Sequence, residues 1–386
     1  MVGKRLRAAC RQIVATTREI STDGLGARVG ALPGFAAART AAERAGAPAY
    51  LVGGAVRDTL LGRPALQLDL VVEGDQGALV EALGGPALIY DRFETATVRA
   101  AFGEVDVARA RAETYPYPGA LPEVRQASIG EDLDRRDFTV NALAVPLADP
   151  GSLLDPHGGV ADLAAGVLRV LHDASFVDDP TRALRAARYA ARLDLEPEPH
   201  TMDLLRHTDL GTVSRDRVAA ELARLASEQR PRRGFELLDE WGLVPLGPGA
   251  AELIEGLVEL LADPRWHEVA PRPQAVVAAL SGLTGDAAEL AAASPRSPSA
   301  AVAAARGRSG VELAIARASG ADWLDDYVER WRDVRLEIGG EDLLAAGVPE
   351  GPRVGRGLTA ALRAKLDGET GGRDDELRIA LDAAGS

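Results

Sequence analysis

The feature that most constrains the fold of this 386-residue chain is a change in hydrophobic periodicity along its length. Short apolar runs, which are typical of strands, come before about residue 110. They are Ala49–Val52, Leu68–Val72, Ala87–Tyr90, Ala96–Ala101 and Glu104–Ala110. From Pro180 onward apolar residues recur at three- and four-residue spacing, which is the period of an amphipathic helix. The pattern predicts an α+β fold, in which a small mixed sheet with helices is followed by an all-helical region.

The same reading predicts the main element boundaries. Residues 1–48 are predicted to form one helix before and one helix after a glycine-rich break at Thr22–Gly34. The second of these helices is predicted at Phe35–Ala45. The strand signal fades after about residue 130, where Phe138–Ala144 begins a predicted helix, and Leu168–Leu171 is the last predicted strand. Helices are predicted in the second half at Ala183–Leu193, Arg217–Ala226, Gly234–Trp241 and Ala250–Leu261.

Composition excludes several classes of protein. Hydrophobic residues make up 46% of the chain and charged residues 26%, as in a globular protein, and the length favours two to four subdomains. No apolar run reaches the roughly 18 residues that a membrane span needs, and the basic first residues lack the apolar segment of a secretory signal. Cys10 is the only cysteine, which excludes an internal disulfide. We therefore predict a cytoplasmic protein without a membrane partner.

The net charge of −14 at first argues against a nucleic-acid partner. However, Lys4 and Lys365 are the only lysines, so nearly all of the 44 basic residues are arginines, whose planar fork suits phosphate recognition. Because steering depends on the local potential, an acidic chain can still contain a basic cleft. The positions of the arginines are therefore more informative than the net charge.

The first candidate site lies where the first predicted strand runs into two glycines, in the segment LVGGAVRDTLLG. Gly53 and Gly54 would let a triphosphate approach the backbone, and the amides at the start of the following helix attract anions. Arg57, one turn into that helix, adds a charged fork. For the glycine pair by itself, an ordinary strand–turn–helix connection is the favoured interpretation. The fixed spacing from the glycines to VRD, LLG and LDLVV is a far more specific signal for a nucleotide-binding site.

The next predicted strand brings Gln67 and Asp69 to one face, because residues two apart on a strand point the same way. Two carboxylates at these positions could hold two magnesium ions for in-line nucleotidyl transfer, but Gln67 is a neutral amide with one weak oxygen ligand. Asp106, on a predicted neighbouring strand, is the candidate for a further catalytic carboxylate. A solvated strand aspartate is an equally good interpretation of Asp106.

The second candidate site is the segment DLDRRDFTVNALA, in which Arg135, Arg136 and Asp137 precede an apolar helical face. A helix cap with surface charges is the simpler interpretation. It does not explain two adjacent arginines at the start of a helix, where the helix dipole disfavours cations. We therefore expect an anion to offset them, and a nucleotide phosphate would serve.

The third candidate site is the segment FVDDPTRALRAARYAARL. Pro180 suits the first turn of a helix that Asp179 caps, and Arg182, Arg185 and Arg188 then follow at three-residue intervals. A solvated basic stripe explains this pattern equally well. The alternative is a stripe that faces a nucleotide, with Asp179 accepting and Arg182 donating hydrogen bonds to the edge of a base.

These segments, together with DPHGGVADL at Asp155–Leu163 and a C-terminal segment at Leu336–Leu358, have the order and spacing found in class II CCA-adding enzymes and bacterial poly(A) polymerases. The chain resembles that family from about residue 49 to about residue 380, weakly over 250–330. The resemblance implies a polymerase-β-type head that holds metals, a neck that selects the base, and a body and tail that hold the acceptor arm of tRNA. The implied divisions are an N-terminal helical extension at 1–48, head at 49–150, neck at 151–215, body at 216–330 and tail at 331–386.

The resemblance also implies roles for individual residues. Its nucleotide-binding positions fall on Gly53, Gly54, Arg57, Arg136, Asp179, Arg182, Arg185 and Arg188. Asp179 and Arg182 match the pair that reads ATP or CTP. The two metal-binding aspartates fall on Gln67 and Asp69, which implies Mg²⁺, or alternatively Mn²⁺, as the cofactor. The segment at Phe93–Thr95 has Glu94 where the family usually has glycine.

The expected function is template-independent addition of CMP and AMP, from CTP and ATP, to the 3′ end of tRNA. Full CCA addition, CC addition, A addition and poly(A) synthesis share these motifs, so all four stay open at this point, as does the oligomeric state. Because Gln67 replaces an aspartate, a catalytically impaired paralogue that binds RNA or nucleotide is a further alternative. Loss of that carboxylate is expected to cost on the order of 10³-fold in rate.

Overall fold

The computed structural model describes residues 18–65, 67–90 and 94–385. They form two compact units, of which the first contains the described residues up to Glu221 together with Trp241–Leu243. The second contains Leu222–Glu240 and the residues from Val244 onward. The helix predicted at the start of the chain lies outside the described residues.

A mixed sheet organises the first unit. The strands in chain order are β1 (Ala49–Val52), β2 (Leu68–Val72), β3 (Ala87–Tyr90), β4 (Thr95–Ala100), β5 (Gly103–Arg109), β6 (Arg111–Thr114), β7 (Glu123–Gln126), β8 (Ala144–Pro146), β9 (Val167–Leu168) and β10 (Glu196–Pro197). Six of them form one sheet in the order β3-β4-β5-β2-β1-β8, while β6 pairs with β7 and β9 with β10. Within the large sheet β2 and β5 are parallel and the other pairs are antiparallel. The prediction of a small mixed sheet is confirmed.

One strand was predicted as a helix. Phe138–Ala144 does not begin a helix, because Thr139–Asn141 forms a single 3₁₀ turn and β8 follows at once. β8 pairs with β1 at the edge of the sheet, where Pro146 can be accommodated without a missing ladder bond. A continuous apolar run such as this one is compatible with a buried strand or a buried helix, and periodicity cannot separate them.

Ten helices cover the described part of the first unit. They are α1 (Leu25–Gly30), α2 (Phe35–Ala45), α3 (Gly54–Leu60), α4 (Gln76–Leu83), α5 (Ile129–Asp134), α6 (Gly159–Ala165), α7 (Ser175–Asp178), α8 (Thr181–Leu193), α9 (Pro199–Arg206) and α10 (Arg215–Ala226), which contains the division between the units. The predicted glycine-rich break therefore contains one short helix, α1. Gly34 adopts φ +82°, and the Phe102 ring occupies the space that a Cβ atom would need there.

The described part of the second unit contains helices and no strand. They are α11 (Pro231–Glu240), α12 (Ala250–Leu260), α13 (Pro264–His267), α14 (Arg272–Ala278), α15 (Gly285–Ala292), α16 (Pro298–Ala305), α17 (Gly310–Ala318), α18 (Trp323–Asp326), a π-helical turn (Tyr327–Trp331), α19 (Gly340–Ala345), α20 (Pro352–Leu366) and α21 (Arg373–Gly385). Helices α19, α20 and α21 enclose a core of Ile338, Leu343, Ala361, Ala380 and Ala384. The predicted all-helical region is confirmed in this unit, whereas β10 (Glu196–Pro197) is a short strand that was not predicted after Leu168–Leu171.

In the described part of the chain, no single helix combines the length and apolar character of a membrane span. One pair meets both requirements only when its two members are taken together. It consists of α14 with the 3₁₀ turn Ala279–Ser281 that extends it, and α15, and the two are bent by 91°.

Candidate active site

Two aspartates lie side by side on the large sheet. Asp69 on β2 and Asp106 on β5 are paired in the parallel register of these strands, so both side chains point to the same face. Thr97 on β4 is paired with Asp106 in turn, and its hydroxyl donates a 2.6 Å hydrogen bond to Asp106 Oδ1. The register of three strands therefore assembles this cluster.

Gln67 contacts this cluster through a hydrogen bond. Its Nε2 donates to Asp106 Oδ2 at 2.9 Å, so both oxygens of Asp106 accept a hydrogen bond in this structure. Gln67 itself lies immediately before β2 and is exposed. The residue that stands in place of the expected aspartate thus stabilises the neighbouring carboxylate and adds no charge.

The surroundings of Asp69 fit a divalent cation. Burial raises the pKa of Asp69 to about 6, the charge of Asp106 acts in the same direction, and the guanidinium groups of Arg136 and Arg57 oppose it. A cation would remove the repulsion between the carboxylates, whose oxygens are the ligands that Mg²⁺ prefers. Among the described residues no group of three His, Cys, Asp or Glu side chains is placed to bind a metal. A cation here would take two carboxylates from the chain and its other ligands from water and substrate phosphates.

A cavity of about 400 Å³ opens over the two aspartates. The polar side chains that line it include Asp69, Asp106, Thr97, Arg111, Arg135 and Arg136. Three guanidinium groups beside two carboxylates give this cavity the charges that a metal-bound phosphate needs.

The placement of Arg135 and Arg136 corrects one prediction. They follow the C-terminus of α5, with Arg135 as its C-cap, and they do not lie at the start of a helix. The anion that offsets them is the fully buried Asp132, which accepts from Arg135 at 2.6 Å and from Arg136 at 2.9 Å. These guanidinium groups hold the pKa of Asp132 below its usual range although burial raises it. The Ser128–Glu131 capping box marks the start of α5. This pattern in the sequence could have predicted that the helix begins before the two arginines.

A second carboxylate, Glu113 on β6, has a largely buried side chain and pairs with Arg111 and also with Arg135. It lies 3.0 Å from Arg111 and 2.9 Å from Arg135, and it accepts a 2.8 Å hydrogen bond from the Tyr115 hydroxyl. Burial raises the pKa of Glu113, but the two arginines lower it below its ordinary value. The sequence analysis did not identify Glu113. No turn signal separates β6 from β5, so β6 was not predicted as a separate strand.

A second cavity, of about 290 Å³, shares Asp69 with the first. Its other polar lining includes Arg57, Asp58, Gln67, Arg188, Tyr189 and Arg192. Arg57 is buried, forms a 3.0 Å ion pair with Asp58, and donates to the side chain of Asn141. Asn141 in turn donates to Asp137 at 3.0 Å, and Asp137 pairs with Arg185 at 2.6 Å. This chain of polar contacts connects all three motif segments.

Tyr189 was not identified from the sequence. Its ring is faced by Arg188 at 4.6 Å, Arg57 at 5.5 Å and Arg185 at 6.0 Å from the ring centre. Cation–π attraction of this kind holds guanidinium groups without neutralising them. The aromatic residue between the arginines of the third segment was the only local signal for this arrangement.

Asp179 and Arg182 flank the start of α8. Asp179 Oδ1 accepts from the Thr181 amide at 3.0 Å and from Arg217 at 2.8 Å, although the N-cap residue of α8 is Pro180 and not Asp179 as predicted. Arg182 is buried and donates to Ser175 Oγ at 2.9 Å and to the Arg135 carbonyl at 2.8 Å. Arg217, on α10, is a further residue that the sequence did not single out.

Gly53 joins the first and second segments. It adopts φ +61°, and a Cβ atom at this position would lie 2.9 Å from Arg136 Nη1. The backbone conformation therefore requires glycine, and a side chain here would also displace the end of the Arg136 guanidinium. Gly54, by contrast, has only an ordinary contact with Arg57.

Glu94 lies in a backbone conformation that favours glycine, which is the residue that the resemblance implies at this position. It has φ +48°, in the left-handed region that glycine adopts without steric cost. Its side chain pairs with Arg109 at 2.7 Å, and its carbonyl accepts from the Arg109 amide at 3.1 Å. These contacts with β5 compensate for the strained backbone. Phe93 lies outside the described residues.

Known proteins resemble this chain in sequence. A family model described as the Poly A polymerase head domain matches residues 49–169. The CC-adding tRNA nucleotidyltransferase of Deinococcus radiodurans is 38% identical over 341 residues, which cover 86% of this chain and 88% of that protein. The A-adding tRNA nucleotidyltransferase of Halalkalibacterium halodurans is 43% identical over 50% of this chain and 48% of its own length. The chain thus spans about half the length of this second relative.

Solved structures resemble it over both units. A CCA-adding enzyme in complex with ATP has a TM-score of 0.73 and 28% identity, over 90% of this chain and 94% of that chain. The Thermotoga maritima CCA-adding enzyme in complex with tRNA has a TM-score of 0.67 and 28% identity, with the same coverage.

Proposed function

We propose, because this chain belongs to the tRNA nucleotidyltransferase family, that it transfers CMP or AMP from CTP or ATP to the 3′ end of a tRNA and releases pyrophosphate. The observation that carries this proposal is the Asp69–Asp106 pair, because both residues line the first arginine-lined cavity and Asp69 also lines the second. Transfer between two substrates needs such an arrangement, because both must approach the same carboxylates.

The family uses divalent metal ions, and we propose Mg²⁺ for this chain. Asp69 and Asp106 would hold it, and Gln67 would orient Asp106 through the hydrogen bond that it donates. A cation bound there supplies positive charge to the transferring phosphoryl group and the departing pyrophosphate.

The roles of the nucleotide-binding residues are part of the proposal. Arg57 and Arg188, which line the second cavity, would contact the triphosphate, with Gly53 and Gly54 allowing close approach. Arg136 lines the first cavity together with the carboxylates and approaches Gly53. These groups are preorganised by Asn141, Tyr189 and Asp132, so little ordering is needed when a nucleotide binds.

Selection of the base is proposed for Asp179, Arg182 and Arg185. Arg217 fixes one oxygen of Asp179, and Ser175 and the Arg135 carbonyl fix the Arg182 guanidinium. A carboxylate and a guanidinium held in this way keep constant positions, as recognition of a base edge requires, although neither side chain lines the two cavities.

Contact with the body of the RNA is proposed for the segment at 331–386. Arg353, Arg356 and Arg363 are exposed on α20 at helical spacing, so they lie along one side of the helix. Arg363 also lines a cavity of about 320 Å³ with Arg306, the C-cap of α16. Arginines placed in this way suit an RNA backbone. The divisions at residues 48, 150, 215 and 330 stay predictions, as does the cytoplasmic location.

The test is incorporation of labelled CTP and ATP into tRNA transcripts that end at the discriminator base, after one C or after two. Addition of C, of A, or of both identifies the reaction. Asp106→Asn should abolish incorporation while leaving the fold intact. Absence of incorporation with both Mg²⁺ and Mn²⁺ would refute the proposal.

Gln67 favours a second candidate, a binding protein with little turnover. Only two carboxylates face the cavity floor among the residues that the structure describes, and Gln67 adds no negative charge. Under this interpretation the protein binds ATP and tRNA, as equilibrium binding would show, but incorporates nucleotides no faster than Asp106→Asn.

A further inference from the structure

The edge of the large sheet beside the carboxylates exposes apolar side chains. All four residues of β3 are exposed, and among them Leu88, Ile89 and Tyr90 leave 59%, 58% and 48% of their surface accessible. Aliphatic and aromatic side chains on an uncovered edge strand are normally avoided, because they promote association. An exposed apolar edge next to a polar site therefore indicates a ligand surface.

The strand register places two of these side chains on the face that carries the carboxylates. Leu88 is opposite Thr97, which is itself opposite Asp106, and directly opposed residues share one face of the sheet. Tyr90, two residues from Leu88, points the same way, whereas Ile89 points to the other face. Leu88 and Tyr90, which we call the apolar edge, thus continue the floor of the active cavity.

Tyr90 also lines the first cavity directly, together with the aspartates and Arg111, Arg135 and Arg136. Guanidinium groups that can hold phosphates beside an exposed aromatic ring are the combination with which proteins bind single-stranded RNA. The proposed triphosphate contacts Arg57 and Arg188 line the second cavity, so the apolar edge lies on the side that remains for the other substrate.

We propose that the apolar edge binds the 3′-terminal base of the RNA that receives the nucleotide, with the base stacked on Tyr90 and in contact with Leu88. This inference rests on the proposed function. Stacking on a ring accepts every base, because all four have a π face. A site at which the terminal base changes after each addition requires that tolerance.

The experiment compares Tyr90→Ala, Tyr90→Phe and Ile89→Ala in the full chain. Ile89 is the matched control, since it lies on the same strand with similar exposure but on the opposite face. Tyr90→Ala should raise the KM for tRNA roughly tenfold, as expected when one base loses its stacking platform, and leave the KM for CTP unchanged. Tyr90→Phe and Ile89→Ala should stay within about twofold of the natural chain for both substrates.

A binding measurement without turnover separates this inference from the proposed function. An acceptor-stem hairpin with 2-aminopurine as its 3′-terminal base should change fluorescence on binding to the natural chain and to Tyr90→Phe, and not to Tyr90→Ala. If the natural chain shows this change but incorporates no nucleotide, only the transfer activity fails.

Three results would overturn the inference. The first is incorporation by the natural chain without a fluorescence change. The second is a failure of selectivity: Tyr90→Ala raises the KM for CTP as much as the KM for tRNA, or Ile89→Ala raises the KM for tRNA as much as Tyr90→Ala does. The third is a change of oligomeric state in Tyr90→Ala, seen by light scattering, because the edge would then pair two copies of the chain.

Discussion

At the scale of the residue, the least expected group of the candidate site is Gln67. Gln67 donates a 2.9 Å hydrogen bond to Asp106, but it adds no negative charge to a site where negative charge is needed to bind a cation. Its amide donates a hydrogen bond to one oxygen of Asp106 when no cation is present. The substitution therefore favours the metal-free protein and weakens the attraction for a cation.

Gln67→Asp should increase the rate of nucleotide addition. The new carboxylate would face Asp106 and provide a third negative charge, so we expect a gain in kcat on the order of 10²- to 10³-fold at saturating Mg²⁺. Steady-state incorporation of labelled ATP measures it, with Gln67→Asn as the uncharged control. An unchanged or lower kcat in Gln67→Asp would show that the hydrogen bond to Asp106 matters more than the charge.

Asp69 makes metal binding dependent on pH. Its pKa is raised to about 6, so the metal-free folded protein holds a proton that the unfolded chain releases near pH 4. The folded state therefore binds more protons between about pH 4 and 6, and this group lowers stability as pH rises through that window. Because Mg²⁺ requires the ionised form, its affinity should fall about tenfold for each unit below pH 6.

Thermal unfolding at a series of Mg²⁺ concentrations, repeated between pH 5 and 8, checks this expectation. Asp69→Asn should remove both the stabilisation by Mg²⁺ and its pH dependence. A half-saturating Mg²⁺ concentration that does not change between pH 5 and 7 would contradict the assignment of Asp69 as the titrating ligand.

At the scale of the element, helices α5 and α8 position the arginines that surround the carboxylates. Successive arginines of α8 turn by about 60° at three-residue spacing, so each meets a different partner. Arg182 reaches the Arg135 carbonyl, Arg185 reaches Asp137, and Arg188 lies over Tyr189. The sequence was compatible with a solvated row of arginines on α8. In the structure each of the three arginines instead contacts a different partner within the protein.

Asp132→Asn should destabilise the first unit strongly. Asp132 is fully buried and neutralises Arg135 and Arg136, so the variant leaves Arg136 without its anion and Arg135 with Glu113 alone. Removal of one partner from such a network costs about 3 kcal/mol or more in unfolding free energy. Urea denaturation at pH 7 measures the loss, and Asp134→Asn, an exposed neighbour, should cost less than about 1 kcal/mol. Equal losses in both variants would contradict the role of Asp132.

At the scale of the whole molecule, a net charge of −14 coexists with a proposed RNA substrate. Many arginines are held in ion pairs, as Arg308 is by Asp286 and Glu289. Arg353 and Arg356 are exposed and form no salt bridge with any residue that the structure describes. The distribution of charge, rather than its sum, is therefore compatible with RNA binding.

Replacement of Arg353 and Arg356 by glutamine should weaken tRNA binding and reduce its dependence on salt. The slope of log Kd against log salt should fall by roughly 0.7 to 0.9 for each phosphate that the variant no longer neutralises. Fluorescence titration between about 50 and 300 mM salt measures this slope. Arg378→Gln on α21, where the arginine pairs with Asp375, is the control and should leave the slope unchanged. An unchanged slope in the double variant would exclude α20 from the RNA interface.

Features that depend on near neighbours in the chain could be predicted from the sequence. The β1–glycine–α3 connection, β2 with Asp69, and the helical spacing of the arginines on α8 follow from local periodicity and turn chemistry. Those rules act over a few residues, which is why the strands of the large sheet up to residue 110 and the four helices predicted between Ala183 and Leu261 were placed to within a few residues.

Features that depend on which strands and helices become neighbours were decided by the tertiary structure. The pairing of Asp69 with Asp106, the hydrogen bond from Gln67, the neutralisation of Arg136 by Asp132 and the apolar edge at Tyr90 all need the strand order or the packing of α5. β8 became a strand because β1 offered it an unpaired edge. Such contacts join residues far apart in the chain, and local patterns carry no information about the register that brings them together.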